Sequence, residues 1–212
     1  MPARKSEPPV LHEGEGEHLS APVWTPTTME GETTRAPYLT DREQVPEDGR
    51  ESFDSIVESR GRISGPFGVL LNSPELAGRV GHLGAYVRFE SGLPDPVREL
   101  AILTTAREFD CAYEWAAHEP IAREAGVREV AIEAVAEREP TDELTETEAL
   151  VVDYGRHLFG DHAVPEPVFE ETKAEFGVEG VVELTATMGY YGLIACVLNA
   201  FEVTPTEGSE LP

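Results

Sequence analysis

Lysine is almost missing from this chain. Its 212 residues hold only Lys5 and Lys173, and 16 basic residues in all face 41 acidic ones, for a formal net charge of −25. A phosphate-binding surface needs clustered lysine and arginine, so nucleic acid and anionic membrane are set aside as partners. The acidic residues recur along the whole length, and such self-repulsion is tolerated best in concentrated salt, where the Debye length falls to about 3 Å at 1 M. That pattern points to a salt-adapted protein. Cysteine is scarce too: Cys111 and Cys196 are too few for a disulfide framework. The opening residues Met1 to Lys5 run into acidic, polar sequence with no signal-peptide core, which points to the cytoplasm. The apolar stretch from Met188 to Leu198 falls short of the roughly 20 residues that cross a bilayer. It is bracketed by Glu183, Asn199 and Glu202, as suits a buried or subunit-contacting helix. There is no G-x-S-x-G elbow, no P-loop and no strand-borne G-x-G-x-x-G, which removes the best arguments for hydrolase, nucleotide or flavin chemistry.

Strict alternation with β-branched enrichment is also lacking, and the apolar residues recur at helical spacing instead, so the fold class is all-α. Residues 1–45, rich in Pro, Glu, Thr and Gly, read as an acidic, disordered extension. Residues 46–205 read as one compact helical domain, and 206–212 as a tail. Pro46 opens a helix carrying Phe53, Ile56 and Val57 that stops at Gly61, and Ser64-Gly65-Pro66 makes a turn. Ser73-Pro74 starts a second long helix whose apolar stripe is Leu76, Val80, Leu83 and Val87. Asp95-Pro96 opens the helix that carries Glu99. Gly126 caps the next helix, Thr145 and Glu148 form a capping box, and Gly177 closes a helix begun at Glu166 before the last one runs to Glu202.

Side chains with chemistry gather between these punctuation marks. Cys111, Glu114 and His118 fall at i, i+3 and i+7, so a helix points a thiol, an acid and an imidazole the same way. Asp110 reads as the N-cap, which places Cys111 in the first turn, where the positive end of the helix favours a thiolate. The plain alternative is one core cysteine, one core histidine and one solvated glutamate on an ordinary helix.

From Pro94 to Ala125 the chain resembles the carboxymuconolactone decarboxylase family, whose best-known redox branch is alkylhydroperoxidase D. Glu99, Cys111 and His118 stand at the positions of that branch's glutamate, first cysteine and histidine, while Glu114 replaces its second cysteine. A wider likeness runs from Tyr38 to Val203 and takes in Gly65-Pro66-Phe67, Leu70-Leu71, Ser73-Pro74 and Tyr190-Tyr191. The resemblance implies an alkylhydroperoxidase-like helical fold and a homo-oligomer, a trimer or hexamer, with the site near a subunit contact. It also implies a thiol-dependent hydroperoxide reductase, with Cys111 as peroxidatic residue, His118 as proton relay and Glu99 as its partner. Its partners would be a hydroperoxide and a thiol reductant, with no cofactor and no metal.

Glu114 sits awkwardly in that scheme, since it cannot resolve an oxidised Cys111 and its carboxylate would raise the thiol pKa. Cys196 substitutes only if its Cα comes within about 7 Å of that of Cys111, and its apolar surroundings suit a core cysteine. The decarboxylase branch implies instead acid/base work on a small lactone by Glu99, Glu114 and His118, with Cys111 a bystander and Tyr113 and Trp115 walling a pocket or simply packing. A metal site formed by Glu99, Cys111, Glu114 and His118 has no recognised ligand motif behind it. The run His12, Glu13, Glu15, Glu17 and His18 reads as solvated tail, and His157 and His162 as surface residues. A helical member that has kept the fold without activity is the non-enzymatic alternative.

Overall fold

Proline at the first turn and glycine past the last mark many of the helix boundaries, because each residue is favoured where the other is not. In the computed structural model, which describes residues 34–205 and 211–212, eight α-helices follow one another and no strand occurs among the described residues. They are α1 Arg50–Arg60, α2 Pro66–Leu70, α3 Pro74–Ala85, α4 Asp95–Glu108, α5 Ala112–Ala125, α6 Glu129–Ala136, α7 Glu146–Gly160 and α8 Glu166–Phe201. Gly61 (φ 79°) and Gly126 (φ 94°) end α1 and α5 in the left-handed conformation. Thr145 caps α7 with Glu148 reaching back, the capping box expected from the sequence.

The center of the fold is α4, whose residues from Glu99 to Ala106 are all buried, with α5, α6, α7 and α8 packed around it. Two hydrophobic clusters form the core. One gathers α1, α2, α3 and the end of α8 around Ile56, Phe67, Leu71 and Ile194. The other gathers α4 to α8 around Leu103, Trp115, Val135, Val151 and Met188. α8 joins them, because Leu184 and Met188 sit in the second and Tyr191, Ile194 and Leu198 in the first. Its helical trace continues past Gly177, whose φ and ψ of 71° and 176° break the helix where the sequence predicts an end. By length and composition α8 is apolar enough to cross a membrane, with a hydropathy of 1.6, yet 56% of that window is buried in the protein.

Three expectations change on this frame. The extension expected over 1–45 lies mostly outside the described residues, but 34–45 are laid onto the fold: the Leu39 amide donates to the Gly68 carbonyl at 2.8 Å, and Val45 is fully buried. The first helix begins at Arg50, after a short 3-10 turn over Glu47–Gly49 with Pro46 as its cap. The apolar stripe of α3 is rotated: Val80 and Val87 are buried, but Leu76 and Leu83 are 48% and 47% exposed. The contact face is instead Ala77, Val80, Gly81 and Gly84, because a Cβ on Gly81 or Gly84 would press on Ile56 or on the Tyr190 hydroxyl. Close approach selects the small residues, which a count of large apolar side chains cannot see.

Past Ala85 the helix widens into a π-turn, Tyr86–Glu90, that carries Arg88 and Phe89. Glu183 on α8 ties this turn down, accepting from the Tyr86 hydroxyl at 2.7 Å and from the Gly92 amide at 2.8 Å. Such π-turns are frequent at functional sites.

Candidate active site

α4 and α5 form a helical hairpin, and their facing sides carry the groups that the sequence singles out. Glu99 Oε2 lies 2.7 Å from His118 Nδ1, with both side chains 5% exposed. Glu114 Oε2 lies 3.4 Å from His118 Nε2, one helical turn back on α5. The imidazole therefore stands between two buried carboxyl groups. The second oxygen of Glu99 faces Arg98 Nε at 3.8 Å. Tyr191 closes the remaining side with its ring edge-on to the imidazole, the centroids 5.1 Å apart.

The two acids are driven in opposite directions. Burial would raise the Glu99 carboxyl, but the His118 charge and hydrogen bond and the Arg88 and Arg98 guanidinium groups outweigh it and hold Glu99 below the usual carboxylate range. Burial dominates at Glu114, and His118 and Arg88 offset it only in part, so that carboxyl is held above the usual range. With Glu99 ionised, the proton of a neutral imidazole belongs on Nδ1, which leaves the Nε2 lone pair turned toward Glu114. A carboxyl held low, an imidazole and a carboxyl held high in series form a unit suited to passing a proton.

This unit opens on a cavity of about 700 Å³ between α1, α2, the π-turn, α5 and α8. Glu114, His118, Tyr113, Tyr191, Arg88 and Arg60 all line it. Of these, sequence reasoning missed Arg88 and Arg60, which have no motif around them. Tyr190-Tyr191 stood out only as part of the family likeness. Tyr113 does wall the cavity, lodged against the turn at Gly65 (φ 56°), where an added Cβ would lie 2.9 Å from its ring. Trp115 is absent from the cavity wall and packs in the second core cluster.

The cysteine end of α5 differs from expectation. Cys111 is itself the N-cap, and Asp110 has left the helix at φ 46° to pair with Arg107 and, at 3.1 Å, with Arg138. The thiol is fully buried in the first core cluster and does not line the cavity. Burial pushes its pKa up to about 12 against the opposing pull of the Glu114 and Tyr113 amides, so the expected thiolate gives way to a packed thiol. Cys196, expected in the core, is exposed, and both cysteines are free. No group of three or more His, Cys, Asp or Glu arranged to hold a metal occurs among the described residues. The run from His12 to His18 lies outside them. His157 pairs with Asp161 at 2.7 Å on the surface, and His162 is exposed.

Residues 74–150, which include the whole α4–α5 hairpin, match the carboxymuconolactone decarboxylase family. No curated protein matches the chain. Among solved structures it is similar to an alkylhydroperoxidase AhpD core, described as an uncharacterized peroxidase-related protein, from Ralstonia eutropha JMP134. That likeness has a TM-score of 0.66 at 19% identity, over 82% of this chain and 93% of that one. A putative antioxidant defence protein AhpD from Agrobacterium tumefaciens gives 0.59 at 23% identity, over 65% and 96%. The debrominase Bmp8, in a complex with 2,3,4-tribromopyrrole, gives 0.65 at 16% identity, over 84% and 95%. At these identities the likeness is one of fold.

Proposed function

Residues 74–150 belong to the carboxymuconolactone decarboxylase family, and from that premise we propose that the chain is an acid/base enzyme acting on a small organic molecule in the cavity beside His118. His118 Nε2 takes a proton from the substrate, Glu99 holds the ring and stabilises the imidazolium through Nδ1, and Glu114 supplies or receives the second proton. The observation that carries the reading is the series Glu99, His118, Glu114 opening on a cavity that Cys111 does not line. Decarboxylation or opening of a small lactone is the reaction class that the family name offers.

The competing reading is a thiol peroxidase, favoured by the peroxidase-related and AhpD-like neighbours. It requires peroxide to reach a fully buried sulfur, the thiol to ionise against its burial, and a resolving thiol other than position 114, which is an acid; Cys196, free, exposed and near enough to act on the Cys111 thiol, is the candidate within the chain. Two assays on the purified protein separate the readings: loss of a carboxymuconolactone, and consumption of a hydroperoxide with a dithiol. Acid/base turnover should vanish in His118→Ala and survive in Cys111→Ser. Peroxide consumption that is present in the natural chain and abolished by Cys111→Ser would establish the thiol mechanism instead.

A homo-oligomer belongs to the same proposal. Val178, Val182 and Leu193 lie exposed along α8, and an apolar row of this kind suits contact with a second copy. Light scattering should report more than one subunit, and Val182→Glu should shift the population toward monomer.

A further inference from the structure

Cys111 and Cys196 are far apart in sequence and idle in the acid/base reading, yet the fold brings them to one place. Gly192, Cys196 and Asn199 fall at i, i+4 and i+7 of α8 and therefore share one face of that helix. The outer two of these rest on the residue two before Cys111. A Cβ on Gly192 would lie 3.3 Å from the Phe109 ring, and the Asn199 side-chain amide donates to the Phe109 carbonyl at 2.8 Å. Cys196 thus stands between two contacts to the turn that leads from Phe109 through Asp110 to Cys111. The same approach shows from the other side, because Cys111 belongs to the first core cluster together with Ile194 and Ala195, the neighbours of Cys196 on α8. Burial keeps the Cys111 thiol protonated and a charge on Cys196 pushes the same way, an influence largely screened beyond about 10 Å. The two thiols meet different media: Cys111 is fully buried and Cys196 is exposed.

We propose that Cys196 and Cys111 form a redox-reactive pair, in which the exposed Cys196 takes up a hydroperoxide and the buried Cys111 then closes a disulfide between α8 and the start of α5. Oxidant arriving from solvent meets Cys196 first, because only that sulfur is open to it. With hydrogen peroxide, the Cys196 thiolate attacks one peroxide oxygen, the O–O bond breaks, and the departing hydroxide takes up the proton that Cys196 gave away. Sulfur has lost two electrons and become a sulfenic acid, and the peroxide has been reduced to water. The Cys111 sulfur next attacks the Cys196 sulfur, the S–S bond forms as the S–O bond breaks, and the second hydroxide leaves as water with the Cys111 proton. Two thiols and one peroxide give one disulfide and two waters. A buried, protonated thiol suits the second step, since its proton goes to the leaving hydroxide and no oxidant has to reach it. Cys111 is also the N-cap, where the backbone is still extended (φ −91°, ψ 91°), so its thiol can turn without unwinding α5. The bond ties the helix that carries Glu114 and His118 to the helix that carries Tyr191. It is independent of the acid/base reading, and it reverses the order of events in the thiol peroxidase reading, where the oxidant enters at Cys111.

The test uses the full chain, reduced and then freed of reductant, treated with a slight excess of hydrogen peroxide and digested without reduction for mass spectrometry. The natural chain should yield a cross-linked Cys111–Cys196 peptide from monomeric protein, reversed by dithiothreitol, which requires the two Cα atoms to come within about 7 Å. Cys111→Ser should stop at a Cys196 sulfenic acid that dimedone captures, and Cys196→Ser should leave Cys111 unlabelled. With a dithiol present, peroxide consumption should survive in Cys111→Ser and fall at least about tenfold in Cys196→Ser, the opposite of what entry at Cys111 requires. Should Cys111→Ser not fold, alkylation of the natural chain decides the order: iodoacetamide should reach Cys196 at least about tenfold faster than Cys111, and the chain so blocked should take up no dimedone. No cross-link in the oxidised natural chain, a disulfide found only between two chains, or dimedone on Cys111 in folded Cys196→Ser would each overturn the proposal. The acid/base reading is tested apart from this by His118→Ala, and its failure would leave the pair standing.

Discussion

The two ends of one helix have opposite characters. At the start of α5 the Cys111 thiol is sealed in hydrocarbon and held protonated. Two turns later His118 is just as inaccessible as a residue, yet its ring is fastened between two carboxyl groups and borders a cavity. Helical spacing gives residues a common direction but not a common medium. Reactivity follows the medium, because a thiol in an apolar cluster loses its ionised form while an imidazole hydrogen-bonded to a carboxylate is held and aimed for proton transfer.

The largest effect should come from breaking the wet end. His118→Ala should cut acid/base turnover by about 10²–10⁴-fold. It should also destabilise the fold by about 3–5 kcal/mol near neutral pH, because Glu99 is left buried without its partner. The sign with pH follows from the Glu99 carboxyl being held low: its contribution is present above the ordinary carboxyl range and is lost as pH falls through its folded value. The deficit of His118→Ala relative to the natural chain should therefore shrink in acid, as urea titrations at two pH values would show.

Glu114→Gln should sharpen the contrast between the two acids of the same end. A carboxyl raised in the folded state contributes stability that is present in acid and lost as pH rises, so the neutral amide should gain on the natural chain with increasing pH. Turnover should fall at the same time, which separates a group kept for chemistry from one kept for packing. Thermal melts from pH 5 to 8 alongside the activity assay read both.

Salt divides the molecule along another line. With a net charge of −25 carried on its surface, the melting temperature should climb by several degrees from dilute buffer to multimolar KCl. The pH profile of turnover, set by buried groups, should move far less. A melting temperature that stays flat over that range would remove the salt-adaptation reading. The smallest effect is expected at the dry end: serine is a favoured N-cap residue, so Cys111→Ser should cost no more than about 1–2 kcal/mol and leave acid/base turnover within about threefold. A large loss of turnover there would erase the difference between the two ends.

Much of this arrangement was legible before any coordinates. The all-α class, the cap at Gly61, the break at Gly177 and the capping box at Thr145 follow from local rules that hold without tertiary help, whereas the meeting of Glu99 with His118 was implied only by the family resemblance. What escaped depends on packing between distant segments. The roll of α3 answers to glycines facing α1 and α8, and no periodicity of large side chains reveals it. Asp110 was a reasonable cap until Arg107 and Arg138 drew it away. Arg88 entered the cavity because a helix widened by one residue, an event with no composition signal.

Glu183 stands outside the cavity, yet it grips the Tyr86 hydroxyl and the Gly92 amide on either side of Arg88. A strap anchored at two points cannot swing, so the angle at which Arg88 meets the cavity is dictated from the longest helix of the molecule. Glu183→Gln would keep the shape of that anchor but loosen its hold, and would retune the entrance of the cavity without altering any residue of its wall.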